Sequence, residues 1–187
     1  MSARFPVLLD TCILVPAVLR DVLLTAAEAG LYRPLWSPDI LDALERTLTG
    51  DLGLEPAQAS HARQEMEAFF PEALVTGYAH LSASMMNHDG DRHVLAAAVQ
   101  GGTDIIVTEN LRHFPVAACE PHEIEAISTD EFLCDLLDLD AEGMCGALRT
   151  LERLRRDLSV AAILTSVSLV APQFARDAAF RLGLPVR

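Results

Sequence analysis

The sequence predicts an α/β fold: a three-layer α/β/α sandwich around a parallel sheet of four to five strands, followed by a C-terminal helical extension. Three observations predict it. Apolar runs too short for helices alternate with longer helical periodicities in the order β-α-β-α-α-β-α-β-α-β, the pattern of a parallel sheet covered on both faces. The clearest runs, Phe5-Pro6-Val7-Leu8-Leu9 and Ile105-Ile106-Val107, each stop at polar residues, Asp10-Thr11 and Thr108-Glu109-Asn110. In open α/β sheets the carboxyl ends of strands are where ligands bind. From Asp130 onward only helical periodicity remains.

Taken in order, the first strand ends in an acid that is costly to bury without a partner. Alternatively, Asp10 caps the helix that begins near Pro16. An amphipathic helix over Val18 to Ala29 stops at Gly30. Arg33 to Ser37 is a second strand, and Ser37-Pro38 is a cap-then-proline helix start. The next helix, Pro38 to Leu48, places Ile40, Leu41, Leu44 and Leu48 on one face and leaves Asp39, Asp42, Glu45 and Arg46 outside. Glu55-Pro56 opens a helix to about Phe70, and Ala73 to Gly77 reads as a third strand. Asp91 precedes an alanine-rich helix (Val94 to Val99) that Gly101-Gly102 terminates. Ile105 to Val107 is the fourth strand, and Glu123 to Ser128 alternates like an edge strand. Thr129-Asp130 caps the first of the C-terminal helices, which run over Asp130 to Leu137, Ala141 to Leu158, Val160 to Val170 and Pro172 to Leu182. Residues 1–128 thus form one expected domain and 129–187 the extension.

The chain has 187 residues, enough for one domain with a substantial core. No apolar run is long enough to span a membrane, and the start lacks the layout of a secretion signal, so the expectation is a cytoplasmic protein without membrane contact. The four cysteines form no CxxC pair and read as reduced thiols. Acids number 27 against 14 basic residues, all of them arginine, for a net charge of −13. Such a charge repels nucleic-acid phosphate at long range, so any nucleic-acid chemistry must work through a bound cation and local arginines.

Four segments, in family order over about residues 5 to 130, resemble the PIN-domain metal-dependent ribonucleases, and in particular the VapC-like toxins of type II toxin–antitoxin systems. They are Val7 to Cys12, Leu31 to Leu41, Asp91 to Ala98 and Asp104 to Pro115. The resemblance implies a PIN-like sandwich that hydrolyses RNA phosphodiester bonds with an activated water. It implies a Mg²⁺ or Mn²⁺ cofactor, an RNA substrate, a small basic antitoxin partner and a homodimer. Hard cations of this type want carboxylate oxygens from several elements. The resemblance assigns Asp10 and Asp91 to the metal. The family glutamate expected in the Pro38 to Leu48 helix is replaced by Ala43. Asp42, about 100° away around the helix, or Glu45, about 200° away, would have to replace it. Asn110 stands where many relatives carry aspartate, and could ligate the metal or orient its water. Thr108, Asp89 and Glu109 are candidates for the surrounding shell. His93 reads as a packing or surface residue.

Other classes fit less well. A haloacid-dehalogenase-type phosphatase needs a second acid two residues after the first, where Cys12 stands. A nucleotide-binding module needs a glycine-rich loop or a Walker lysine, and neither occurs. Ala43 keeps open a PIN-like fold that has lost catalysis and serves as a binding partner.

Overall fold

The computed structural model describes residues 5–185, so residues 1–4 and 186–187 of the two expected domains lie outside it. Its sheet is built from the shortest apolar runs. β1 (Pro6–Leu9) lies between β2 (Arg33–Leu35) and β3 (Ile105–Val107), and β3 pairs with β4 (Glu125–Ile127), giving the order β2-β1-β3-β4 with every pair parallel. Val7, Leu8 and Leu9 are wholly buried, as strands covered on both faces must be. Leu8 registers with Leu35 and with Ile106, and Leu9 with Val107. Two hydrogen bonds carry the ladder one step further: Asp10 N–H donates to the Val107 carbonyl (3.1 Å) and Thr108 N–H to the Ile127 carbonyl (3.0 Å). Asp10 and Thr108 are thereby fixed at the carboxyl edge of the sheet.

The third strand expected over Ala73 to Gly77 does not form. Its place is taken by one parallel bridge, Trp36 to Leu74, made by Trp36 N–H to the Ala73 carbonyl (3.0 Å) and Val75 N–H to the Trp36 carbonyl (2.8 Å). Gly77, with φ 81°, then takes the chain into a backbone conformation that ends the extended run. Among the described residues the sheet therefore has four strands, the lower of the two numbers expected.

Around this sheet run α1 (Thr11–Leu14), α3 (Pro38–Gly50), α4 (Pro56–Phe69), α5 (Ala79–Ser82), α6 (Arg92–Gly101) and α7 (Val116–Cys119). Ser37 caps α3 through its hydroxyl, which accepts from Ile40 N–H (3.3 Å). Ile40, Leu41, Leu44 and Leu48 form the buried face. The alanine-rich α6 buries Val94 to Ala98 and packs on β1; small side chains let a helix approach a strand closely. These elements, Phe5–Val15 and Arg33–Ile127, make one compact unit.

The second unit comprises Pro16–Tyr32 and 128–185. It contains α2 (Ala17–Glu28), α8 (Thr129–Leu139), α9 (Ala141–Leu154), α10 (Val160–Val167) and α11 (Pro172–Arg181). α2, which follows β1 in sequence, packs on α9 and α10, and α8 packs on α9 and α11. Tyr32 and Phe132 meet edge to face at 5.0 Å between ring centres, and the Tyr32 hydroxyl donates to the Leu23 carbonyl (3.0 Å). Arg155 pairs with Asp21 of α2. The cap expected from Thr129-Asp130 is redistributed. Ser128 accepts from Glu131 N–H (3.2 Å) and caps α8, while Asp130 accepts from Gln173 N–H (3.1 Å) and Phe174 N–H (2.8 Å) at the start of α11. Among the described residues no helix is long and apolar enough to cross a membrane.

Asp140 caps α9 by accepting from Gly143 N–H (2.8 Å). A Cβ on Gly143 would sit 2.5 Å from Asp140 Oδ2 and 2.9 Å from Leu31 Cδ2. Glycine to alanine inside a helix ordinarily stabilises by up to ~1 kcal/mol. Here the cap and Leu31 would both have to move, so Gly143→Ala is expected to destabilise by about 1–2 kcal/mol. A urea midpoint that rises in this variant would contradict the packing.

Candidate active site

A carboxylate left in a dry environment must have its lone pairs engaged. Asp10, 4% exposed, meets this requirement three times. Oδ1 accepts from Thr11 N–H (2.6 Å), and Oδ2 accepts from the Thr108 hydroxyl (2.7 Å) and the Cys12 thiol (3.2 Å). The carboxyl end of β3 thus delivers Thr108 directly to the acid at the end of β1. The Thr108 oxygen in turn accepts from Asn110 N–H (3.0 Å), which fixes the loop that carries Asn110. Burial, reinforced by the negative charge of Asp10, pushes the Cys12 thiol up to about 12. Cys12 therefore stays a neutral thiol, and its sulfur accepts from Glu109 N–H (3.3 Å).

Asp91 closes a short 3₁₀ turn, Asp89–Asp91, just before α6. Its side chain does not cap α6; Oδ2 instead meets His113 Nδ1 at 2.7 Å and His88 Nδ1 at 3.5 Å. The two loops are tied by backbone as well: His88 N–H donates to the His113 carbonyl (3.1 Å), and Asp91 N–H to the His88 carbonyl (2.8 Å). Asp89 pairs with Arg92 (2.7 Å) on the exposed side of the turn.

Asp42 and Glu45 lie together elsewhere on α3, where Arg63 of α4 reaches both. Its Nη1 donates to Asp42 Oδ1 (2.6 Å) and Glu45 Oε2 (2.9 Å), and its Nε to Glu67 (3.1 Å). The Ser60 hydroxyl adds a bond to Glu45 Oε1 (2.8 Å). The structure therefore brings Asp10 together with Thr108 and the Asn110 loop, and Asp42 together with Glu45. Among the described residues no hydrogen bond or ion pair joins Asp42 or Glu45 to Asp10 or Asp91.

Among the described residues, the three-donor group that could hold a cation is His88, Asp91 and His113, with ligand atoms within 4.8 Å of one another. Two imidazoles and a carboxylate are a donor set that fits a divalent ion. Both histidines escape a reading of the sequence, as do Cys12 and Arg63. The His88-x-x-Asp91 spacing is visible in the chain and places two donors on one turn; His113 arrives only through the tertiary pairing of the two loops. Arg63 carries no sequence signal beyond its place on a polar helix face.

Compared with known protein families, residues 6–112 match the PIN domain. Over 70 residues the chain is 53% identical to the Mycobacterium tuberculosis (strain ATCC 25618 / H37Rv) protein named "Putative ribonuclease VapC50", an overlap of 37% of this chain and 41% of that protein. The chain thus matches less than half the length of this relative. No solved structure matches it.

Proposed function

The chain belongs to the PIN-domain family, and from that premise we propose that it is a metal-dependent endoribonuclease, the toxin of a toxin–antitoxin pair, acting in the cytoplasm. The observation that carries this reading is Asp10, a buried carboxylate held at the carboxyl end of β1 by a threonine from the end of β3. Asp10 and Asp91 would hold Mg²⁺ or Mn²⁺, which when bound supplies an activated water and offsets charge building on the phosphate. Thr108 fixes the Asp10 carboxylate by donating to Oδ2, so its oxygens do not reorganise when a substrate arrives. Asn110, positioned through its backbone on Thr108, can orient a water or a phosphate oxygen with its amide. Asp89 and Glu109 add negative charge near the two loops. Asp42 and Glu45 enter this machinery only on release from Arg63. In this reading residues 1–128 carry the nuclease, with Pro16–Tyr32 grouped with the 129–187 helical extension, and two copies could pair as a homodimer.

Ala43 and the Arg63 clamp favour a second reading, a PIN-like fold without catalysis that acts as a binding partner. One pair of measurements separates the two. Millimolar Mn²⁺ or Mg²⁺ should raise the melting temperature in a concentration-dependent way, by about 2.7 kcal/mol of added stability at a hundredfold excess over Kd. The same ions should switch on cleavage of a panel of structured RNAs. A flat melting temperature together with uncut RNA would leave the binding-partner reading in place.

The net charge of −13 suits a basic partner better than free RNA. An arginine-bearing antitoxin would gain in encounter rate from this field and could grip a carboxylate with both guanidinium nitrogens. Raising salt from about 0.1 M to about 1 M shortens the reach of these charges from about 10 Å to about 3 Å. The association rate with the protein encoded beside this one should therefore fall steeply over that range. A salt-independent rate, or no basic partner, removes the toxin assignment while the nuclease assignment can stand.

A further inference from the structure

We propose that His88, Asp91 and His113 form a mixed nitrogen–oxygen cation site that selects a divalent transition ion, of the zinc, cobalt or manganese type, over Mg²⁺. The site shares Asp91 with the nuclease reading but does not depend on RNA cleavage. Three observations carry it. The ligand atoms of all three side chains fall within 4.8 Å of one another. The backbone holds them there, because His88 N–H bonds the His113 carbonyl and Asp91 N–H bonds the His88 carbonyl. Finally, Asn87, next in the chain to His88 and 4% exposed, donates Nδ2 to the Asp91 carbonyl (3.0 Å) while its buried Oδ1 lacks a hydrogen-bond partner. A water carried by a bound ion is the kind of donor this oxygen lacks.

The proton positions follow from the partners. His88 Nδ1 accepts from Gly90 N–H (3.3 Å), so its proton sits on Nε2, and an ion bound at Nδ1 would take over the lone pair that Gly90 N–H now holds. His113 Nδ1 lies 2.7 Å from the Asp91 carboxylate oxygen and so carries the proton between them. Coordination through His113 Nδ1 would move that proton to Nε2, with no net change in charge on the ring. The two rings are stacked, 4.2 Å apart and 14° from parallel. Two parallel lone pairs do not converge on one ion, so binding requires the planes to splay. The His88 side chain, 57% exposed, has room to make that turn once Nδ1 leaves the Gly90 N–H.

The selectivity follows from the ligands. Mg²⁺ prefers oxygen and retains its waters, whereas imidazole suits transition ions, with affinity rising from Mn²⁺ through Co²⁺ toward Zn²⁺. A site with two imidazoles and one carboxylate therefore discriminates against Mg²⁺ in a way that an all-carboxylate cluster does not.

The test uses Co²⁺ alone as a spectroscopic probe on the full chain, with affinity read by visible absorption and calorimetry. The wild type should take up one Co²⁺ with the ligand-field bands of imidazole coordination, and a large excess of Mg²⁺ should not displace it. His88→Gln and His113→Gln should each weaken this binding by at least the roughly 10–100-fold that loss of even an outer-shell partner costs. Because the His88 side chain is largely exposed, His88→Gln keeps the test clear of folding effects, which circular dichroism would verify for both variants. Unchanged Co²⁺ affinity in His88→Gln, or ready displacement by Mg²⁺, overturns the site. RNA cleavage by the wild type with Mg²⁺ is measured separately. A protein that binds Co²⁺ as described but cuts no RNA retains this site and loses the nuclease reading.

Discussion

Asp10→Asn is expected to lower metal-dependent RNA cleavage roughly a thousandfold, the loss of about 4 kcal/mol of transition-state charge stabilisation. The change removes one negative charge from the carboxyl edge of the sheet and little volume, so the fold should persist. It will not be thermodynamically silent. Asp10 accepts bonds from Thr11 N–H, the Thr108 hydroxyl and the Cys12 thiol. An asparagine that keeps the Thr11 bond on its oxygen turns an amide donor toward Thr108 and Cys12. The expected cost is about 1–3 kcal/mol of stability, the scale of a buried polar group losing its match. Denaturant titration and single-turnover cleavage on one protein batch would measure both effects. Full activity in a folded Asp10→Asn protein removes Asp10 from the reaction.

Phe132→Ala should be among the most damaging single changes to stability, costing about 3–5 kcal/mol of the roughly 5–15 kcal/mol a domain commonly has. Phe132 is 1% exposed and presents itself edge to face to the wholly buried Tyr32. Truncation leaves a cavity beside an aromatic ring whose hydroxyl is tied to the Leu23 carbonyl. Phe132→Leu, which refills most of the space, should cost distinctly less. The same burial pushes the Tyr32 phenol well above its usual range. An unfolded tyrosine ionises near about 10, so above that pH the unfolded chain loses a proton that the folded one keeps, and stability falls as pH rises. Urea midpoints at neutral and alkaline pH would show the decline. An Ala variant as stable as the wild type would mean that α8 is not packed as described.

Much of the sheet and of its functional edge was legible because the signals were local. Val7 to Leu9 and Ile105 to Val107 are uninterrupted apolar runs of the length a covered parallel strand takes, and the polar residues closing them mark their carboxyl ends. Asp10 closes the first of these runs, whereas Asp91 was singled out from its place before the alanine-rich helix and from the family resemblance. What escaped depended on pairing across the chain. Ala73 to Gly77 has strand character, yet whether it adds a full strand or one bridge is decided by Trp36. The helix wheel shows Asp42 and Glu45 as exposed and cannot show that Arg63, 21 and 18 residues away, pairs with both. His113 reaches Asp91 over 22 residues through loop geometry that no periodicity encodes. From crowding of acids alone, removing Asp10 would be expected to leave stability level or raise it. The three bonds it accepts reverse that expectation.

The membership of α2 in the helical unit sets the timing of biosynthesis. The contact between Asp21 and Arg155 spans 134 residues, and α2 leaves the ribosome long before α9 exists. At elongation rates of roughly 5–20 residues per second, the delay is on the order of ten seconds. Throughout it Leu19, Val22, Leu23 and Ala26, all buried in the finished protein, lack the cover that α9 and α10 later provide. The nascent chain must therefore carry an adhesive segment near its start until its last third is made. A ribosome stall after β4 would hold a chain with every strand present and α2 still without α9 and α10. Yield in the cell should then track translation through residues 128–154 and the supply of chaperones more closely than it tracks the stability of the completed fold.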